Sequence, residues 1–397
     1  MARWRSAFAL HREAMGYTQE KLAKHLGVDR VTVGRWDRLE NPPDPAIQPR
    51  LATALKVTPA ELIELLHPGQ KGPSTPAVPQ RTGSSGHDVV QRIQGAALAF
   101  QETDRRLGGG VLLPSVELYL SQEIAPRLLD AHGGTSAAGI FSAAASMTEI
   151  AGWMTHDGGQ NQRARAYFER AFRLAVAAEN NALAGNSCAS MSHLAIELGQ
   201  HSDALRIATT GIAKSSQADG TLRLTARLHT MRARALALVG EHQACALSLD
   251  QAESLLGQAT SEKPADWIAN FDEASLASEA AQCFLDLAEY AEAEQRAAAA
   301  IRLRSGDRVR SRAFGQITMA NILIGAGRLD EAAAFGNEVC KATASLSSTR
   351  VLDQLNDLGR TLASARSVPE VAHFLATLGA LSHVSDAQEG QTATWPV

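Results

Sequence analysis

Between Arg127 and Val368 the chain contains a single proline, Pro264. Proline lacks a backbone donor and its ring collides with the preceding turn, so helix interiors exclude it. A stretch of this length so nearly free of it is predicted to be helical. Alanine, the strongest helix former, occurs 71 times among the 397 residues, and aromatic residues make up only 5%. A sheet protein would carry more Val, Ile, Gly and aromatics. The expected fold class is therefore all-α, which argues against most common enzyme folds.

Most of the 14 prolines lie before residue 80, and they mark a change of organisation. From His67 to His87, 13 of 21 residues are Pro, Gly, Ser or Thr, with no carboxylate and no apolar periodicity. Such a segment cannot bury enough surface to order itself. The expected layout is a small domain over 1–66, a flexible linker over 67–87, a large helical domain over 88–384, and a disordered tail over 385–397. No run approaches the roughly 18 apolar residues that a membrane span needs. The start is amphipathic rather than signal-like, so a cytoplasmic location is expected. Cys188, Cys245, Cys283 and Cys340 are far apart, and no two of the 12 histidines are spaced i, i+4. Neither a metal nor a cofactor is expected. The net charge of −4 gives no global basic field, although residues 1–70 carry +2.

The small domain reads as five short helices. The first runs from about Trp4 to Met15. Thr18 is a good N-cap for Gln19–Leu26, and Gly27 supplies the turn. Asp29 is expected to cap a third helix, Arg30–Glu40, stopped by Asn41-Pro42-Pro43. A fourth spans about Ala46–Leu55, and Thr58-Pro59-Ala60-Glu61 opens a fifth with a capping box. The second and third have helix-turn-helix dimensions. Val33 and Trp36 face the packing side, which leaves Arg30, Val31, Thr32 and Arg35 outward at the end that reaches major-groove base edges. Arginine pairs bidentately with guanine, and Val31 with the Thr32 methyl suits thymine. Gly34 either allows close approach to a phosphate or is simply tolerated.

TQEKLAKHLGVDRVTVGRW followed by RLATALKVTPAEL resembles the Cro/C1-type (XRE) helix-turn-helix family over about residues 4–66. The resemblance implies double-stranded DNA as partner. Base contacts then fall on Arg30, Val31, Thr32 and Arg35, and a phosphate or groove-edge role on Gln19. Arg38, just beyond, joins the expected DNA-binding set.

Past the linker, helices are expected at about Val89–Leu107 and Ser115–Ala131. The intervening Gly108-Gly109-Gly110 is followed by Val-Leu-Leu-Pro rather than Lys-Ser/Thr, so no P-loop is present. From Ala138 onward a repeat emerges. LGQHSDAL (198–205), VGEHQACA (239–246), LAEYAEAE (287–294) and AGRLDEAA (326–333) each join two helical stretches. A small residue follows each turn by five positions: Ala204, Cys245, Ala293 and Ala332. Asp157-Gly158-Gly159, with Ala164 beyond, starts the series. The turns recur about every 40 residues, with one longer step. Glycine turns with small residues at helix crossings characterise tetratricopeptide-like repeats, so a superhelix of five or six hairpins is predicted.

The concave face of such an array is lined mainly by first helices. Candidates there are Trp153, His156, Asp157, Asn186, Met191, His193, Arg227, His229, Glu279, Arg312 and Asn321. The longer repeat, Gln258 to Asn270, adds Trp267 and Phe271, with Asp272 and Glu273. Trp153, Asp157, Asn186, Met191, His193, Trp267, Phe271 and Asn321 form the expected ligand-binding set. Segments such as AGWMTHDGG and RVRSRAFGQITMANIL resemble actinobacterial regulators that join an XRE domain to tetratricopeptide-like repeats. The architecture is also similar to that of quorum-sensing regulators that hold peptides in the groove, where Asn186 and Asn321 would bind peptide backbone. No HExxH, GxSxG or GxGxxG motif is present, so no enzyme is expected. The expectation is a homodimeric transcriptional regulator responsive to a small molecule or peptide. The alternatives are a DNA-tethered scaffold for a protein partner and a ligand-independent repressor.

Overall fold

The computed structural model describes residues 6–38, 43, 47–55, 57, 62, 65–66, 86–107, 112–131, 135–259, 271–304, 308–343 and 348–392. It is helical, with no strand among the described residues. The chain divides into two compact units, Met1–Gly83 and Ser84–Val397.

In the first unit, α1 (Ala7–Ala14), α2 (Gln19–Leu26), α3 (Arg30–Asp37) and α4 (Gln48–Leu55) surround one apolar core. Phe8, Leu22, Val33, Trp36, Leu51 and Leu55 are buried in it, with Phe8 edge-on to Trp36 at 6.5 Å. The third helix ends at Asp37, three residues before the expected stop. Most of the expected fifth helix lies outside the described residues, although Leu62 and Leu66 are helical and join the core. Thr18 caps α2 by accepting from the Lys21 N–H at 3.1 Å, and Gly27 ends it at φ +73°. Asp29 holds the N-cap position of α3 but its side chain makes no capping bond. Its contribution there is a negative charge near the positive end of the helix dipole.

The second unit begins with α5 (Gly86–Leu107), then α6 (Leu113–Tyr119), a π-helical turn over Leu120–Ile124, and α7 (Ala125–Asp130). The π turn has a local cause. Pro126 lacks an N–H and its ring crowds the carbonyl four residues back, so the ladder widens and Ala125 N–H donates to Leu120. The triglycine 108–110 lies outside the described residues.

Among the described residues six helix pairs follow, each packed on the next. They are α8 (Thr135–Asp157) with α9 (Asn161–Ala177), α10 (Asn181–Glu197) with α11 (His201–Ser215), and α12 (Leu222–Leu238) with α13 (His242–Gln258). Then come α14 (Glu273–Asp286) with α15 (Tyr290–Leu303), α16 (Val309–Gly325) with α17 (Leu329–Thr343), and α18 (Thr349–Leu362) with α19 (Pro369–Thr392). The small residues five past each turn, Ala164, Ala204, Cys245, Ala293 and Ala332, are all fully buried. They let the second helix of each pair lie close on its neighbours, which is the structural use of the alanine excess. The expected tail over 385–397 is described only in part. Residues 385–392 continue α19, since Ala387, Gln388 and Glu389 favour a helix and no proline intervenes before Pro396. Residues 393–397 lie outside the described residues.

The turns repeat one backbone device. Gly159, Gly199, Gly240 and Gly327 sit at φ +75°, +70°, +76° and +79°, and the fourth turn puts Ala288 at +58°. A left-handed conformation costs an L-residue about 1–2 kcal/mol, offset in glycine by a more flexible unfolded chain. Ala288→Gly is therefore expected to stabilise the unit by about 0.5–1 kcal/mol, read as a raised urea midpoint at unchanged slope. A lowered midpoint would show that the turn carries no strain.

Candidate functional sites

The outward face of α3 is set by what holds its inner face. Arg12 on α1 is buried and grips Asp37 at the end of α3 with two hydrogen bonds, Nε to Oδ1 at 3.0 Å and Nη2 to Oδ2 at 2.7 Å. Its Nη1 donates to the Tyr17 carbonyl at 2.5 Å. The same Asp37 carboxylate accepts from Gln19 Nε2 at 2.6 Å, so the side chain expected at the groove edge is fixed relative to α3. Ser6 closes the arrangement by donating to the Asp37 carbonyl at 2.6 Å.

On the other side of α3, Arg30, Val31 and Arg35 are exposed and Thr32 is half-buried. Val31 is 63% exposed. Arg38 is exposed at the C-cap. A Cβ on Gly34 would stand 3.4 Å from Arg38 Nη1 and 3.8 Å from the Gln19 amide, in ordinary contact. Packing therefore does not require that glycine.

Residues 9–62 match the family model described as Helix-turn-helix. The first unit carries an XRE-type helix-turn-helix. The match covers α2, its turn and α3, and it supports a DNA-binding regulator. No curated protein matches the chain. No helix is long and apolar enough to cross a membrane among the described residues.

The second unit carries a half-open cavity of about 310 Å³ against the first helices of its pairs. Its wall is formed by Gln101 and Asp104 from α5, Ile150, Trp153 and Asp157 from α8, Arg227 from α12, Arg308, Arg310 and Ser311 at the start of α16, and Arg350 from α18. Contacts across the array close it. Arg310 donates to Asp157 at 2.9 Å and to Asp104 at 3.0 Å, Ser348 donates to Asp157 at 2.9 Å, and Arg350 donates to Glu197 at 2.6 Å. Four arginines against two aspartates leave the wall net positive. Two buried polar atoms belonging to wall residues have no hydrogen-bond partner, Asp104 Oδ1 and Arg350 Nε.

Beneath the wall lies a polar network centred on Glu149. Its Oε1 accepts from Asn186 at 2.8 Å and Ser190 at 2.6 Å, and its Oε2 from Ser187 at 3.4 Å. Arg227 donates to Asn186 Oδ1 at 3.0 Å, and its guanidinium lies 5.7 Å from the Trp153 ring centre. Trp153 Nε1 donates to Ser190. Burial pushes the Glu149 carboxyl above its ordinary range, and Ser190, Arg227 and Asn186 pull it partly back. Burial likewise lowers Arg227 against the raising effect of Glu149. Both partners resist charging, as expected where desolvation exceeds attraction. Beside them, burial first and Arg350 second hold His156 and His193 below the ordinary histidine value.

The expected ligand set divides accordingly. Trp153 and Asp157 line the cavity, Asn186 sits one bond behind it through Arg227, and the His193 ring lies 5.2 Å from that of Trp153. Met191 instead packs with Ala164, Phe168 and Leu194. Phe271 is buried among Ala226, Ala252, Leu256 and Leu276. Asn321 is half-buried on α16 and is not part of the wall. Trp267 lies outside the described residues. Periodicity marks an aromatic or thioether on an inner face without telling the concave side from the inter-helix seam. Sequence reasoning missed Arg308, Arg310, Arg350, Asp104 and Glu149. Two signals were present: the Arg308-Val309-Arg310-Ser311-Arg312 cluster opening a first helix, and a lone carboxylate inside SAAASMTEIAGW.

Proposed function

We propose that this chain is a transcriptional regulator. It binds specific double-stranded DNA through α3, and its tetratricopeptide-like unit senses a small polar molecule bearing an acidic group. The observation that carries the sensing role is the half-open, net-positive cavity with its unpartnered Asp104 Oδ1 and Arg350 Nε. A volume of about 310 Å³ lies at the lower end of ligand pockets, which favours a small molecule over an extended peptide. The wall is assembled from helices far apart in the array. An effector bridging α5, α8, α16 and α18 would therefore favour one curvature of the array over another, and it acts only through that difference in affinity. One helix-turn-helix offers few contacts, so the regulator is expected to act as a homodimer whose geometry sets the spacing of its two recognition helices. No enzymatic step enters this reading, and the site of action is the cytoplasm.

The test has two arms. The full chain selects duplexes from a random pool, and Arg35→Ala is measured on the selected site. A loss of about 1–3 kcal/mol confined to one base position is expected. Unchanged affinity and preference in the variant would overturn the contact assignment. In the second arm, fractions of small acidic metabolites are screened for a raised melting temperature of the full chain. The shift is expected to vanish in Arg308→Ala, a wall residue paired only loosely with Asp272 at 3.8 Å. A shift that persists in that variant, or none from any fraction, would remove the sensing role.

A further inference from the structure

Next to the cavity, two histidines 37 positions apart in sequence meet. His156 stands in the last turn of α8, and His193 and Glu197 stand one helical turn apart on α10. One ligand atom from each of the three lies within 4.8 Å of the other two. The imidazole rings are 5.6 Å apart and nearly perpendicular, at 83°. Nε2 of His156 and Nε2 of His193 are both buried and without a hydrogen-bond partner. His156 is only 1% exposed. Its other nitrogen is accounted for, since Nδ1–H donates to Asn161 Oδ1 at 2.7 Å. That bond places the proton on Nδ1 and leaves Nε2 as a bare lone pair. A hydrogen bond to the far nitrogen is how metal-binding histidines are oriented and their tautomer fixed.

We propose that His156, His193 and Glu197 bind a divalent transition-metal ion of the zinc type, with a fourth position open to water. Two imidazoles and one carboxylate suit Zn²⁺ and its first-row neighbours, whereas Ca²⁺ and Mg²⁺ favour oxygen ligands throughout. Asn161 is the positioning residue for His156. Arg350 is the opposing charge, because its Nη2 donates to Glu197 Oε1 at 2.6 Å. A metal entering the site takes that carboxylate from Arg350. Arg350 sits on α18 and lines the cavity, so metal binding releases one of the contacts that close the array. The site therefore adds a metal input to the unit, coupled to the cavity through Arg350.

The experiment uses the full chain after chelator treatment and dialysis, titrated with ZnCl₂ by calorimetry and with Co²⁺ by visible absorption. One equivalent per chain is expected, with the intense visible bands of four-coordinate Co²⁺. His193→Gln is expected to weaken Zn²⁺ binding by more than the roughly 10–100-fold that loss of a supporting residue costs, and Asn161→Ala by an amount within that range. Arg350→Met is expected to tighten it by freeing Glu197. Zinc affinity unchanged in His156→Gln/His193→Gln, or a wild-type chain that yields no visible Co²⁺ bands, overturns the site. The cobalt spectrum needs no variant, so a poorly folded mutant does not decide the outcome. Weaker binding in Arg350→Met overturns the competition for Glu197.

Discussion

Arg227→Met is expected to destabilise the second unit by about 1–3 kcal/mol at neutral pH, the usual cost of leaving buried polar groups without their partner. Arg227 and Glu149 are both buried, and the contact between them runs through Asn186 and Ser190, each of which donates to Glu149 and accepts from Arg227. Without the guanidinium, Asn186 Oδ1 loses its donor, and the carboxylate loses the cation that pulls its pKa down. The pH dependence follows in sign. Burial already raises the Glu149 pKa above the ordinary 4.5, and removing Arg227 raises it further. Below 4.5 the group is protonated in both folded and unfolded chains and imposes no charge penalty. As pH rises through that value the unfolded chain ionises first, and stability falls until the folded-state pKa is passed. The deficit of Arg227→Met should thus be largest at neutral pH and shrink on acidification. Urea unfolding of the full chain at the two pH values measures it. Adding Glu149→Leu should recover much of the loss by removing the stranded carboxylate. An equal deficit at both pH values would show that Glu149 is not the group Arg227 serves.

The first unit was legible in the sequence because its signals are local. Thr18 three residues before Lys21, Gly27 at the turn, and Val33 with Trp36 on one helical face each lie within a few positions of the structure they specify. The array was legible for the same reason, since a left-handed turn residue and a small residue five positions later recur in the first five pairs. Ala288 shows the limit of that signal: the turn geometry persists where the glycine does not. The cavity was largely hidden. Arg310 and Asp104 are 206 positions apart, Ser348 and Asp157 are 191 apart, and Arg350 and Glu197 are 153 apart. Which concave residues meet depends on the small rotation between successive pairs, summed over the array. No single segment encodes that sum. His156 and His193 were each legible as concave-face candidates, but their meeting was hidden for a related reason, because neighbouring helices rather than one helix bring them together.

In the first unit the largest effect is expected from Arg12→Met. Side-chain exposure is 4% for Arg12 and 9% for Asp37, so the substitution strands a buried carboxylate and removes the donor to the Tyr17 carbonyl. A cost of about 3–5 kcal/mol follows. Hydrogen exchange of the full chain should register it as lost protection across α3, with the second unit unchanged. The double variant Arg12→Met/Asp37→Leu removes both charges and is expected to regain most of the protection. It should not regain DNA binding in proportion. Asp37 also holds Gln19 Nε2 at 2.6 Å, and leucine offers no acceptor, so the side chain proposed for the groove edge is released while the fold returns. Recovered protection with weakened DNA affinity separates the two roles of one carboxylate: it offsets Arg12 in the core and aims Gln19 at the DNA. Recovery of both together would mean that Gln19 needs no holding, and that the network serves stability alone.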